Sequence, residues 1–218
     1  MILGKILPTG GSAEFPYYVN QAWTGASTMS YLDIPYPSGI QAGDILLLMA
    51  MKSNNTNDTL SLGSGLAFTS RQNQQTNSHR FYLWSRIANG TETGSRRIQD
   101  SASQTKVGAM LQFRGASGLN FNGLGAGINQ SNIVFSFYNS YSVALPMTLY
   151  MRMPQGTPTV DSGMEIIARC RPVSSAYFEA LFVGNEMPLP GNTIQATVYF
   201  NSSPTNVQYA KSQIILYK

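Results

Sequence analysis

Apolar and polar residues alternate along much of this chain, which is the pattern of β-strands. In KVGAMLQFR (106–114) every second residue from Val107 to Phe113 is apolar, and TIQATVYF (193–200) repeats the alternation from Ile194. A period of two places one set of side chains against a core and the other set outward. Both segments are therefore predicted to be half-buried strands.

Similar strand patterns recur along the rest of the chain, and helical spacing is nearly absent. Segments rich in Gly, Pro, Asn and Ser separate the strands at intervals that suit antiparallel pairing. We predict an all-β, antiparallel β-sandwich of jelly-roll-like type. The further predicted strands are 17–23, 28–34, 45–52, 80–88, 133–141, 147–153, 164–171, 176–183 and 209–217.

The stretch SGIQAGDILLLMAMKS (38–53) departs from this alternation, because an unbroken apolar run follows Gly43 and Asp44. Such a short run fits a central strand that is buried on both faces. Gly43 and Asp44 are predicted to form the turn before it, with the Asp44 side chain satisfying turn amides. The other predicted turn glycines are Gly94, Gly115 and Gly191.

The chain also carries a weak internal two-fold repeat. FYLWSRIANGTETGSRRIQ followed by KVGAMLQFR resembles AYFEALFVGNEMPLPGNTIQATV followed by YAKSQIILYK: an aromatic strand, a Gly-containing loop and two more strands. The sandwich is predicted to span 28–218, with repeats at about 28–118 and 130–218. The Gly- and Asn-rich segment 114–132 is predicted to be a crossover, with an interdomain linker as the alternative. One sandwich and two lobes both remain open.

Residues 1–27 are predicted to form an N-terminal arm. The segment has few apolar residues with which to build a core alone, so it would become ordered by packing on a neighbouring subunit. Buried apolar area, at roughly 25 cal/mol per Å², offsets the ordering entropy of such a segment. The side chains predicted at this interface are Ile2, Leu3, Ile6, Leu7, Phe15, Tyr17 and Tyr18.

A second candidate interface lies on the predicted strand RFYLWSRI (80–87). Tyr82, Trp84 and Arg86 alternate with residues that can point into a core. Tyr, Trp and Arg are enriched at binding hot spots, so these three are predicted to contact a partner. The alternative is that the chain's own loops cover this face.

Charge content limits the partners that the protein can bind. Charged residues make up 11% of the chain, against about 25% in a typical soluble domain. The formal net charge of +4 comes from scattered basic residues rather than a dense stripe, which disfavours nucleic-acid binding. No signal peptide or membrane-spanning run is apparent, so assembly in a cytoplasm and no membrane partner are expected.

Residues suited to catalysis or metal binding are sparse. The single histidine, His79, has no nucleophile and acid near it in sequence, and the ten carboxylates are dispersed. One cysteine, Cys170, rules out an internal disulfide framework and a multi-cysteine zinc site. The segment NNTND (54–58) lacks the spaced acids of a calcium loop. We predict a non-enzymatic protein with no catalytic residue, no cofactor and no metal site.

Several of these segments, taken in order, resemble a known group of proteins. SGIQAGDILLLMAM, FYLWSRIANGTETGS, KVGAMLQFRGASG, GNTIQATVYF and SQIILYK are similar to β-sandwich proteins of tailed-bacteriophage virions, namely decoration proteins and tail or fibre modules. The resemblance covers about residue 38 to the end. It implies a rigid, non-enzymatic building block whose loops and edges bind neighbouring copies or the shell. The matching positions have the character of turn and packing residues: Gly43, Asp44, Ala88, Gly90, Arg114 and Gly115.

The resemblance favours a capsid decoration or cement protein, located in the virion and assembled in the host cytoplasm. Such a protein would bind the major capsid protein or other virion proteins as a homo-oligomer, a trimer or a dimer, and so stabilise the head. The alternative is a tail or tail-fibre receptor-binding protein that recognises a host surface glycan. An enzyme acting on surface polysaccharide is a third hypothesis.

Overall fold

The protein is built from β-strands, and in the residues that the structure describes it forms sixteen strands and no helix. Every strand pairing is antiparallel. The predicted all-β, antiparallel, sandwich-like class is therefore confirmed. This computed structural model describes residues 16–53, 59–102, 104–128, 132–138, 140–141, 144–153, 158–160, 164–173, 176–183, 193–200 and 208–218.

The strands fall into two groups along the chain. The first group comprises β1 (Tyr17–Ser27), β2 (Tyr31–Pro35), β3 (Ile45–Ser53), β4 (Leu60–Leu62), β5 (Thr69–Gln75), β6 (His79–Ile87), β7 (Ser95–Asp100) and β8 (Lys106–Arg114). The second group comprises β9 (Gly118–Ile128), β10 (Asn132–Tyr138), β11 (Ala144–Met153), β12 (Pro158–Val160), β13 (Met164–Val173), β14 (Ala176–Val183), β15 (Thr193–Phe200) and β16 (Gln208–Tyr217).

These strands form four sheets. The first central sheet has the order β1-β8-β3-β6-β5, and the first outer sheet has the order β2-β7-β4. The second central sheet has the order β9-β16-β11-β14-β13, and the second outer sheet has the order β10-β15-β12. Adding eight to each strand number converts the first two orders into the last two. The two groups of strands therefore share one connectivity.

The strands compared in the internal repeat take corresponding places in these sheets: β6 with β14, β7 with β15 and β8 with β16. The jelly-roll-like description and the sequence repeat themselves stay predictions. The predicted limits 28–118 and 130–218 do not match the two groups of strands, because β1 precedes the first limit and β9 precedes the second.

The first core lies between the two central sheets. Ile45, Leu47 and Met49 of β3 belong to it, and Ile214 and Leu216 of β16 face them from the other sheet. All five side chains are fully buried. Removal of this apolar surface from water holds the two halves of the chain together.

The second core lies on the other face of the first central sheet, which the first outer sheet covers. Leu46 and Leu48 of β3 belong to it, together with Leu32, Ile34 and Ile98 of the outer sheet. Each fully buried leucine contributes about 1.5–3 kcal/mol relative to an exposed one. β3 is therefore buried on both faces, as predicted for ILLLMAM, and this burial explains why the run does not alternate.

The second central sheet is also covered on both faces along β16. Ile214 and Leu216 face the first core, while Tyr209 and Ile215 are buried on the opposite face. Lys211 donates a hydrogen bond of 2.8 Å from Nζ to a carbonyl of β10 in the second outer sheet. The four sheets therefore stack in the order first outer, first central, second central, second outer.

Residues 17–27 are not a separate arm. They form β1, an edge strand of the first central sheet that pairs with β8. The Tyr18 ring packs edge-to-face on Phe113, with 6.0 Å between centroids. The predicted boundary after residue 27 is therefore wrong, because Tyr17 and Tyr18 belong to the chain's own sheet; their contact with a neighbouring subunit stays a prediction. The other predicted arm residues, Ile2, Leu3, Ile6, Leu7 and Phe15, lie outside the described residues.

The Gly-rich segment 114–132 is not a crossover, because most of it is β9. This strand pairs with β16, and its glycines lie opposite long side chains: Gly118 opposite Tyr217, and Gly127 opposite Tyr209. A Cβ at either glycine would approach the facing tyrosine hydroxyl to 2.5 Å. Glycine usually weakens a strand, but here it leaves room for a neighbouring aromatic ring.

Candidate functional site

The strand face predicted to contact a partner lies inside the protein. Tyr82 and Trp84 are 2% and 5% exposed in the second core, with their rings stacked 5.4 Å apart. The Tyr82 hydroxyl accepts a hydrogen bond from the Leu60 N–H at 3.1 Å. Arg86 is half-buried and pairs with Glu92. The interface prediction for Tyr82 and Trp84 is therefore wrong, because the first outer sheet covers them; a contact of Arg86 with a partner stays a prediction.

The turn at Gly43 and Asp44 sets the entry to β3. Gly43 has a φ of 91°, a left-handed conformation that favours glycine. The buried Asp44 carboxylate accepts a hydrogen bond of 2.8 Å from the Gln41 N–H. It also accepts bonds of 2.6 Å from Gln112 Nε2 and 2.7 Å from Arg114 Nε. Burial opposes ionisation, but these donors outweigh it and lower the pKa of Asp44.

The other predicted turn glycines and the single histidine can also be compared with the structure. Gly94 and Gly115 have φ values of 74° and 84°, as tight turns require, and Gly191 lies outside the described residues. His79 begins β6, where its Nδ1 lies 3.2 Å from Ser78 Oγ. In the described part of the chain, no group of three His, Cys, Asp or Glu side chains is placed to hold a metal ion, and no helix could cross a membrane.

Two buried charge clusters close opposite ends of the second core. At one end, the Glu92 carboxylate accepts hydrogen bonds from Arg86 Nε at 2.9 Å and from the N–H groups of Asn89 and Gly90 at 3.0 and 2.9 Å. Burial opposes ionisation, but these donors outweigh it and lower the pKa of Glu92. The carboxylate therefore orders the loop between β6 and β7.

At the other end, Asp100 lies between two buried lysines. Lys52 Nζ is 2.6 Å from its Oδ1, and Lys106 Nζ is 3.2 Å from its Oδ2. The lysines face each other across β3 and β8, and Lys106 also donates to the carbonyls of Met29 and Gln104. Burial opposes ionisation, but the lysines and a backbone amide outweigh it and lower the pKa of Asp100. This cluster joins three strands at the edge of the core.

A groove of about 250 Å³ opens beside the β6–β7 loop. Its walls carry several hydroxyl groups and one guanidinium. The residues that supply them are Tyr36, Ser64, Thr91, Thr93, Ser95 and Arg96. We call this feature the Arg96 groove.

Arg96 is the only charged residue that lines this groove in the described part of the chain, and it is 4% exposed. Its Nη1 and Nη2 donate to the carbonyls of Ser64 and Gly63 at 2.7 and 2.8 Å. Within the described residues its Nε has no hydrogen-bond partner, and no carboxylate forms a salt bridge with it. Burial lowers the pKa of Arg96, although a guanidinium stays charged in proteins.

The outward face of the second outer sheet carries no charge. Its strands β10, β12 and β15 contain no Asp, Glu, Lys or Arg. We call the outward residues of β10 and their β15 neighbours the uncharged face, and within it Val134 and Tyr138 are 52% and 59% exposed. The exposed β10 members are Asn132, Val134, Ser136 and Tyr138, and the paired β15 members are Tyr199, Thr197, Gln195 and Thr193.

The first outer sheet has a different outward face. Arg97 donates to Asp33 through Nε at 2.8 Å and Nη2 at 2.6 Å, and its guanidinium lies 4.2 Å from the centre of the Tyr31 ring. Hydrogen bonding to Arg97 lowers the pKa of Asp33. The two outer sheets share a connectivity, but among the described residues only the first presents an ion pair on its exterior.

Sequence reasoning missed the Arg96 groove and both buried charge clusters. The segment SRRIQD contains the signal, because Arg96, Ile98 and Asp100 alternate with exposed residues in β7. Two charged side chains on the apolar face of a strand indicate buried ionic contacts. No family model, curated protein or solved structure matches the chain. Any proposal about function must therefore rest on the residues and their geometry.

Proposed function

We propose that the protein is a non-enzymatic structural component of a tailed-bacteriophage virion, in which the uncharged face binds the capsid lattice or neighbouring copies. The observation that carries this proposal is the lack of charge on a face that exposes Val134 and Tyr138. Burying such a face desolvates no ion, so close and repeated contacts lose little free energy to charge burial. That the assembly is a phage virion is inferred from the resemblance to decoration and tail proteins.

A decoration protein acts by mass action. Because it binds only the assembled lattice, each occupied site stabilises that lattice by RT ln(1 + [L]/Kd), about 2.7 kcal/mol at 100 times Kd. Many copies on one shell multiply this effect. A rigid stack of four sheets is suited to this role, since little conformational entropy would be lost when it docks.

The buried carboxylates also favour a structural role. Asp44, Glu92 and Asp100 each bind cations or backbone amides, and each has a lowered pKa. A general acid needs a carboxyl whose pKa is raised. These three side chains therefore serve turns and strand ends and are not suited to act as general acids.

The experiment compares one lysine substitution on each outer sheet. Val134→Lys places a charge on the uncharged face, while Gln99→Lys places one at an exposed position on the first outer sheet. Purified variants are added to particles that lack the protein, and bound copies are counted by quantitative mass spectrometry. We expect Val134→Lys to bind at least tenfold more weakly, about 1.4 kcal/mol, and Gln99→Lys to bind normally. Equal binding by both variants, each folded as judged by its unfolding midpoint, would contradict the proposal.

The second candidate function is a tail or tail-fibre protein that recognises a host surface glycan. The observation that favours it is the Arg96 groove, because hydroxyl groups around a small cavity suit sugar binding. Location decides between the two functions. Many copies on the head support the decoration protein, whereas a few copies at the tail support the receptor-binding protein.

A further inference from the structure

We propose that the Arg96 groove binds a single carboxylated sugar unit, with the sugar carboxylate paired to the Arg96 guanidinium. This inference goes beyond the proposed function, because a protein on the head or on the tail could carry such a site. The sugar site is tested on the purified protein. Absence of the chain from virus particles would therefore contradict the proposed function but not the sugar site.

Arg96 carries a buried charge that no described residue balances. The residue is 4% exposed, so its guanidinium has given up most of its hydration, and a buried charge normally has a counter-ion. The nearest cluster cannot supply one, because the Glu92 carboxylate already binds Arg86 and two backbone N–H groups. A ligand carboxylate would provide the charge that the described residues lack.

The guanidinium is held in one orientation. Two backbone carbonyls, those of Gly63 and Ser64, hold Nη2 and Nη1, while Nε has no partner in the described residues. An unsatisfied buried donor is destabilising. Nε itself is buried, so a ligand carboxylate would pair with the guanidinium where Arg96 lines the groove, and a carboxylate is the acceptor that matches a guanidinium best.

A close contact at Gly65 keeps Arg96 in this position. Gly65 has a φ of 129°, and a Cβ there would lie 2.7 Å from Arg96 Nη1. A side chain at residue 65 would therefore displace the guanidinium. The glycine leaves the cation seated against the wall of the groove.

The rest of the groove suits the ring of a sugar. Thr93 and Ser95 offer hydroxyl groups that can both donate and accept, as sugar hydroxyls do. The Thr91 hydroxyl already donates to Asn89 Oδ1 and can still accept. Tyr36 and Leu66 add apolar surface against which a sugar ring can pack. A volume of about 250 Å³ is below the range of roughly 300–1,000 Å³ found for drug-sized ligands. One sugar unit therefore fits better than an oligosaccharide.

A carboxylate is a better match than a phosphate. Arg96 is a single cation, and the other nearby arginine, Arg86, is neutralised by Glu92. A dianion would keep one uncompensated charge in the groove, whereas a monoanion leaves none. We therefore expect discrimination by charge as well as by the presence of a sugar ring.

The test measures binding of methyl glucuronide by NMR titration, with methyl glucoside and inorganic phosphate as comparison probes. We expect saturable shifts with methyl glucuronide and at least tenfold weaker binding of both other probes. Equal binding of methyl glucoside would overturn the role of the carboxylate. Equal binding of phosphate would overturn the sugar site and leave a general anion site.

Variants locate the site. Arg96→Gln should weaken methyl glucuronide binding at least tenfold, while Arg97→Gln, which removes the adjacent exposed arginine already paired with Asp33, should leave it unchanged. Because Arg96 is buried and its loss can impair folding, Thr93→Trp serves as a second variant that fills the groove from an exposed position. If Thr93→Trp folds and still binds methyl glucuronide as the wild type does, the proposal is wrong.

Discussion

Replacing Asp100 by asparagine tests whether the buried charge cluster stabilises the fold. The substitution preserves size and one oxygen acceptor, but it removes the negative charge between Lys52 and Lys106. Both lysines are 1% exposed, and they approach the carboxylate to 2.6 and 3.2 Å. After the change, two ammonium groups remain buried and face each other without a counter-ion.

The expected loss in the free energy of unfolding follows from the two lysines that Asp100→Asn leaves without a counter-ion. Breaking a buried ion pair by removal of one partner costs about 3–5 kcal/mol. Because the asparagine oxygen still accepts one hydrogen bond, we expect a loss near the lower limit, about 3 kcal/mol. For a chain of this length that loss lowers Tm by about 6–12 °C.

The assay is urea unfolding followed by tryptophan fluorescence, because Trp84 lies in the second core. The matched control is Asp33→Asn, which breaks an exposed ion pair with Arg97 and should destabilise far less, since solvent screens that pair. Adding Lys106→Met to Asp100→Asn should recover part of the loss by removing one unpaired cation. A loss for Asp100→Asn no larger than that of the control, or no recovery in the double variant, would refute the reasoning.

Acid should destabilise the protein as the pH falls through about 4, because the pKa values of Asp44 and Glu92 are lowered by folding. Their contribution is complete above the unfolded-state pKa and is lost as the pH falls through the folded-state values, which a series of thermal melts from pH 7 to pH 2 measures. Gly108→Ala should cost about 2 kcal/mol, because a Cβ there would meet Ile34 Cδ1 at 2.2 Å. Gly94→Ala has open space around its Cβ and should cost only about 1 kcal/mol for its positive φ; urea unfolding that reversed this order would contradict the packing.

The sequence predicted strands well where apolar residues dominate. The alternating segments 106–114 and 193–200 match β8 and β15 at both ends, and the mostly apolar segment 176–183 matches β14. The apolar run of β3 is buried on both faces. In these segments local pattern and tertiary environment agree. Period-two alternation, or a short apolar run between turn residues, is therefore sufficient to identify them.

Polar strands and the candidate site could not be predicted in the same way. β5 (TSRQNQQ) and β7 (SRRIQD) contain almost no apolar residues, so their pairing depends on neighbours that local pattern does not specify. Tyr82 and Trp84 alternate with residues of the first core, as residues on an exposed strand face would. The first outer sheet nevertheless covers them. The Gly-rich β9 has the composition of a loop, and only the tyrosines of β16 explain it.

The most direct test of the proposed function is cryo-electron microscopy of tailed-phage particles assembled in cells that express this chain. The account predicts many copies in symmetric positions on the head, with Val134 and Tyr138 of β10 buried against the lattice or a neighbouring copy. Absence of the chain from the particle, or its presence with the uncharged face fully open to solvent, would contradict the account.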